Sequence, residues 1–63
     1  MENPEKEIIL KFLKKEPRGL TIQEISKLGK LSRFKATIYV HELLGAGKIT
    51  ERKIGAYSLF KMK

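Results

Sequence analysis

The residue types that carry out acid–base, nucleophilic or metal chemistry are few in this chain of 63 residues. It has one histidine, His41, and no cysteine. Disulfides and thiolate metal sites are therefore excluded, and a metal ion at His41 would depend on carboxylates, of which Glu42 is the adjacent one. No serine is placed to pair with His41, and no phosphate-binding glycine loop is present. We expect no enzyme, no metal and no cofactor, and predict His41 to be a partly exposed side chain.

Positive charge is the chemistry that the sequence offers in quantity. Residues 1–17 contain four lysines and four glutamates and sum to zero, whereas residues 18–63 contain ten Lys or Arg against three Glu and hold the whole net charge of +7. A surface of one sign concentrates and steers a partner of the opposite sign. This distribution predicts a neutral scaffold segment beside a basic contact surface; charge retained for solubility is the alternative.

The first element predicted to position these cations is a helix at about residues 4–15. Asn3 as cap, Pro4 at the first helical position and Glu5 against the helix dipole form a favourable start. Pro17 disfavours helical geometry in the residue before it, which ends the helix. Leu10 is predicted to be partly exposed. The residues predicted to face the core are Ile8, Ile9, Phe12 and Leu13.

Two further helices are predicted at about residues 22–28 and 33–45. Thr21 and Glu24 form a Thr-x-x-Glu capping box before the first of them, and Gly29 is predicted to end it in the left-handed conformation. Ser32 is predicted to cap the second. The residues predicted to face the core are Ile22, Ile25 and Leu28 in the shorter helix, and Ala36, Val40, Leu43, Leu44 and Gly47 in the longer one, with Tyr39 at its edge.

After the third helix the apolar period changes from about 3.6 to about 2 residues, which is typical of strands. Residues 49–53 and 56–60 are predicted to form a hairpin that turns around Ile54-Gly55, within a wing of about residues 48–61. Tyr57 is predicted to pack at the edge of the core. Phe60 alternates to the opposite face of its strand and is predicted to cover the first helix.

The second and third helices, joined by a short glycine-containing turn, have the spacing of a helix-turn-helix. Residues 20–59 resemble winged helix-turn-helix transcription regulators of bacteria and archaea. The resemblance lies in the run TIQEISKLGKLSRFKATIYVHELLGAGKITERK and the AYSLF strand, and above all in the step LLGAGKI into the wing. It implies an α+β fold, a three-helix winged helix-turn-helix with a C-terminal two-stranded hairpin, in one domain over residues 1–63.

In that family the third helix enters the major groove of DNA, and the wing contacts the backbone or the minor groove. The resemblance therefore implies double-stranded DNA as the partner and transcription regulation as the role. Lys and Arg are expected on phosphates or guanine edges, and hydroxyl groups on phosphate oxygens. The implied nucleic-acid-binding residues are Lys30, Ser32, Arg33, Phe34, Lys35, Thr37, Ile38, His41, Arg52 and Lys53, with Ile54 and Gly55 at the wing tip.

The face of the third helix opposite the core departs from the family pattern, because it carries Phe34, Ile38 and His41 where polar residues are usual. Three interpretations are open: both apolar side chains contact thymine methyl groups, Phe34 folds back onto the second helix, or both bind a protein partner or a second copy. The alternative function is therefore a protein–protein interaction module that uses the Phe34/Ile38 face. The sequence does not distinguish DNA from RNA.

The longest apolar run has three residues, Ile8 to Leu10, so no membrane span or secretion signal is expected. We expect a cytoplasmic protein with no membrane partner. No small-molecule effector is predicted, because the core is too small to enclose one.

Overall fold

The computed structural model describes residues 4–63, in which three helices are followed by a two-stranded antiparallel sheet. The elements are α1 (Pro4–Lys15), α2 (Ile22–Gly29), α3 (Arg33–Gly45), β1 (Ile49–Ile54) and β2 (Tyr57–Met62). This is the α+β winged helix-turn-helix predicted from the sequence, with every element within two residues of its predicted bounds. The predicted cap Asn3 lies outside the described residues. Across residues 4–63, no helix is long and apolar enough to cross a bilayer.

The core is one cluster to which every element contributes, so that the helices and the wing stabilise one another. Burying these side chains supplies most of the free energy of folding, at about 25 cal/mol per Å² of apolar surface removed from water. The buried residues are Ile9, Leu13, Leu20, Ile25, Ala36, Val40, Leu43, Ile49 and Phe60.

Part of the predicted core is wrong. Ile8 is 41% exposed and Leu28 is also exposed, although both were assigned to buried stripes. In α1 the buried arc is centred on Ile9 and Leu13, one turn apart. Because successive residues lie about 100° apart, Ile8 falls to one side of this arc and Leu10 to the other, where Leu10 is half-buried.

The capping box predicted for α2 is present. The Glu24 backbone N–H donates to Thr21 Oγ1 at 3.2 Å, and the Thr21 backbone N–H donates to Glu24 Oε1 at 3.0 Å. Two backbone donors at the helix start are thus satisfied by side chains, which fixes where the helix-turn-helix begins.

A backbone bridge joins the helical part to the wing. Leu20 and Phe60 exchange two backbone hydrogen bonds of 2.8 Å, so Leu20 forms an isolated antiparallel bridge to β2 just before α2. Gly19 lies against the same strand with φ of +94°, and a Cβ atom at this position would stand 2.9 Å from the Phe60 carbonyl oxygen. This close approach requires glycine, because any other residue would push the strand away.

The hairpin turns one residue later than predicted. β1 and β2 pair from Ile49 with Met62 up to Ile54 with Tyr57, so the turn residues are Gly55 and Ala56. Ile54 therefore belongs to a strand and not to the turn. Only Gly55 of the two turn residues has a positive φ, the arrangement of a type II′ turn with glycine in first place.

Candidate nucleic-acid interface

The turn between α2 and α3 is held by a Schellman motif. The Leu31 N–H donates to the Ser26 carbonyl oxygen at 2.9 Å, and the Lys30 N–H donates to that of Lys27 at 3.3 Å. The left-handed residue of this motif is Lys30, with φ of 54°, and not Gly29, which is the last helical residue. The predicted role of Gly29 is therefore wrong by one position.

The end of α3 repeats this motif with the usual residue. The Lys48 N–H donates to the Leu43 carbonyl oxygen and the Gly47 N–H to that of Leu44, while Gly47 takes φ of +72°. Gly47 is therefore exposed beyond the helix and does not join the core arc as predicted. In the turn between α2 and α3, the exposed Lys30 occupies the left-handed position that Gly47 fills at the end of α3.

The two hydroxyl groups near the start of α3, those of Ser32 and Thr37, make different hydrogen bonds. Ser32 Oγ accepts from the Lys35 N–H at 3.1 Å, as predicted for a cap, and its own hydroxyl proton is not used in that bond. Thr37 Oγ1 donates to the Arg33 carbonyl oxygen at 2.8 Å and is half-buried. In this arrangement Ser32 can donate to an anion, whereas the proton of Thr37 is directed at the helix itself.

The outward face of α3 is apolar and open to solvent. Phe34 is 74% exposed and Ile38 is 39% exposed, and His41 is exposed beside them. The interpretation that Phe34 folds back onto α2 is therefore wrong. Two interpretations remain, contact with thymine methyl groups and contact with a protein. Arg33 and Lys35, on either side of Phe34 in the chain, are both exposed.

Contacts with α1 hold α3 on its other side. The Tyr39 hydroxyl donates to Glu5 Oε1 at 2.6 Å, and Tyr39 packs against the core as predicted. Lys6 and Glu42 form an ion pair. Glu42 is the one acidic residue of α3, and Lys6 of α1 offsets its charge. The cations at the start of α3 therefore face no unpaired acidic side chain of their own helix.

The wing separates its two predicted contact residues. Arg52 pairs with Leu59 and Lys53 with Ser58, so the two cations lie on opposite faces of the hairpin. Glu51 shares the face of Lys53 and offsets part of its charge. Tyr57 is 53% exposed, which contradicts its predicted packing at the core edge. Its strand face is not the one that carries the buried Phe60.

A groove of about 530 Å³ runs between the helices and the wing. Of the predicted contact residues, Arg33 and His41 line this groove, and the sequence did not assign its other lining residues to a binding site. The sequence could not place Gln23 in the groove, because that depends on how α2 packs against the wing. It could not place Glu51 and Ser58 there either, because the strand register decides which face of the hairpin they occupy. The groove is lined by Thr21, Ile22, Gln23, Arg33, His41, Glu51, Ala56, Tyr57, Ser58 and Phe60.

No protein-family model and no curated protein matches the chain. Among solved structures, one of HOP2, described by its DNA recognition and protein interaction domains and its homologous DNA pairing properties, is similar to it. The similarity covers 94% of this chain and 98% of that one, with a TM-score of 0.79 and 22% sequence identity. At this identity the similarity establishes a shared fold.

Proposed function

We propose that this chain binds duplex DNA, with α3 in the major groove and the wing on the sugar–phosphate backbone. The observation that carries the proposal is the set of exposed cations at one end of α3, namely Lys30, Arg33 and Lys35. They surround a helix N-terminus, where outward N–H groups and the helix dipole favour a phosphate. Arg52 and Lys53 would add backbone contacts from the two faces of the wing.

The similarity to HOP2 supports DNA as the partner, because that protein is described by DNA recognition. Transcription regulation is the finer proposal, and it rests on the resemblance of residues 20–59 to winged-helix regulators. HOP2 is described by homologous DNA pairing, which is a different use of DNA binding. We assign the chain no catalytic role and no cofactor.

Salt dependence tests the proposal. Five phosphate contacts would give a slope of about −4.5 in log K against log[salt], so the affinity for a labelled mixed-sequence duplex is expected to fall roughly 500-fold between about 50 and 200 mM salt. Fluorescence anisotropy measures this directly. Absence of binding at both salt concentrations would remove the proposal.

Lys30, which has a left-handed backbone conformation in the turn between α2 and α3, provides a second test. Lys30→Gly is expected to stabilise the domain by about 0.5–1 kcal/mol, because glycine takes this conformation without a Cβ penalty, and yet to weaken DNA binding several-fold through one lost phosphate contact. Thermal unfolding and anisotropy measure the two effects. Lys30→Gln is the control, since it removes the charge without relieving the backbone, and should weaken binding with no gain in stability. Unchanged DNA affinity in both variants would remove Lys30 from the interface.

The second candidate function is a protein-interaction module, and the exposure of Phe34 and Ile38 favours it. Such a patch would drive association that tolerates salt, because burial of apolar surface is not screened by ions. Sedimentation at high protein concentration and high salt distinguishes this function from DNA binding, which high salt would abolish.

A further inference from the structure

We propose that Phe34 and Ile38 read the 5-methyl groups of two neighbouring thymines, which makes these apolar side chains the specificity determinants of the chain. The inference rests on the proposed function, because it specifies what α3 recognises in the major groove. The thymine methyl group is the apolar feature that a standard base pair presents there, and apolar side chains read it by contact.

The placement of the two side chains fits two bases on one strand. Residues four apart lie on one helix face with their Cβ atoms about 5–6 Å apart. Successive bases of a strand rise by about 3.4 Å, so this separation spans one or two base steps. Phe34 is the second residue of α3, and the N-terminal end of a recognition helix is where base edges are contacted.

The outward face of α3 offers few other means of reading bases. The helix contains no Asn or Gln, the residues that pair with adenine through two hydrogen bonds. The proton of Thr37 is held by the Arg33 carbonyl oxygen. Arg33, Lys35 and His41 can reach guanine or phosphate, and Phe34 and Ile38 are the side chains of this face that can contact the thymine methyl group.

The charges around the apolar pair favour a polyanion such as DNA over a second copy of this chain. Phe34 stands between two exposed cations in the chain, Lys30 precedes the helix, and the acidic Glu42 is paired with Lys6. An apolar centre with a cationic rim complements methyl groups that lie between two rows of phosphates. A second copy would bring the same cations against this rim, and like charges across an interface are repulsive.

Removal of the methyl groups alone tests the inference. Two duplexes of the same mixed sequence, which contains adjacent thymines, are compared, one with thymine and one with deoxyuridine at every thymine position, which leaves the hydrogen-bonding groups unchanged. Each buried methyl group is expected to contribute roughly fourfold to affinity, so loss of the two methyl groups should make the uracil duplex bind about fifteenfold more weakly at low salt. Anisotropy measures the ratio of the two affinities.

Variants assign the effect to the two side chains. Phe34→Ala with Ile38→Ala is expected to bring the thymine-to-uracil ratio close to one while salt-dependent binding to both duplexes persists. Ile8→Ala is the matched control, because Ile8 is as exposed as Ile38 but lies on α1, and it should keep the wild-type ratio.

Failure of this inference and failure of the proposed function give different results. Equal, salt-sensitive affinity of the wild-type chain for both duplexes would overturn thymine reading and leave DNA binding in place, whereas no binding to either would overturn both. A dimer that Phe34→Ala with Ile38→Ala converts to monomer in sedimentation would instead assign the face to a second copy and overturn the inference.

Discussion

Replacing Arg33 and Lys35 together with alanine is expected to lower the affinity for duplex DNA by roughly one to two orders of magnitude at low salt. Two lost phosphate contacts would also reduce the salt slope by about two, because each contact releases close to one counterion. Both side chains are exposed at the start of α3, so the fold should not change. Anisotropy at several salt concentrations gives the affinity and the slope from one set of titrations.

The control for this variant removes the same charge elsewhere. Lys14 and Lys15 are exposed in the last turn of α1, and replacing both with alanine likewise lowers the net charge from +7 to +5. If α3 is the interface, this variant should keep an affinity within about threefold of wild type at about 0.1 M salt, where the Debye length is about 10 Å and exposed charges outside the interface are largely screened. An equal loss in both variants would mean that overall charge and not the α3 site attracts the DNA.

Phe60→Ala is expected to unfold the domain at 25 °C. Truncating a buried phenylalanine costs about 3–5 kcal/mol, and a core of this size supplies about 3–5 kcal/mol in total. Phe60 is 3% exposed, and its backbone also makes the bridge to Leu20, so the cavity would open where the wing meets the helices. Circular dichroism should show loss of helix, and denaturant titration should show no cooperative transition.

Phe34→Ala makes the same chemical change at the surface. Because Phe34 is 74% exposed, its truncation leaves no cavity, and the free energy of unfolding should change by less than about 0.5 kcal/mol. The two variants together test the exposure of Phe34. A destabilisation of Phe34→Ala comparable with that of Phe60→Ala would show that Phe34 packs in the core.

Helix ends were predictable where the signal is local. Pro17 ends α1 through a clash with the residue before it, Thr21 and Glu24 form the capping box three residues apart, and Ser32 caps α3, each as predicted. The change of period after α3 likewise predicted both strands. These interactions act within a few residues, so they are nearly the same in any fold that contains the segment.

Which face of a helix is buried, and how the strands pair, were less predictable, because both depend on segments distant in sequence. Helical spacing placed Ile8 and Ile9 on one stripe, but the positions of α2 and β2 relative to α1 determined which of them is buried. A strand pattern fixes that Arg52 and Lys53 alternate, while the turn at Gly55 determined which residues of β2 lie opposite them, Leu59 for Arg52 and Ser58 for Lys53.

The sequence by itself thus determined the order of elements, their ends to within two residues, and the concentration of the whole +7 charge in residues 18–63. The tertiary structure decided that Phe34 is exposed, that Tyr57 lies outside the core and that Arg33 and His41 line a groove with Gln23 from α2. The physical reason is one of range. Caps, turns and periodicity are properties of a few adjacent residues, whereas the burial of a side chain is decided by which distant elements cover it.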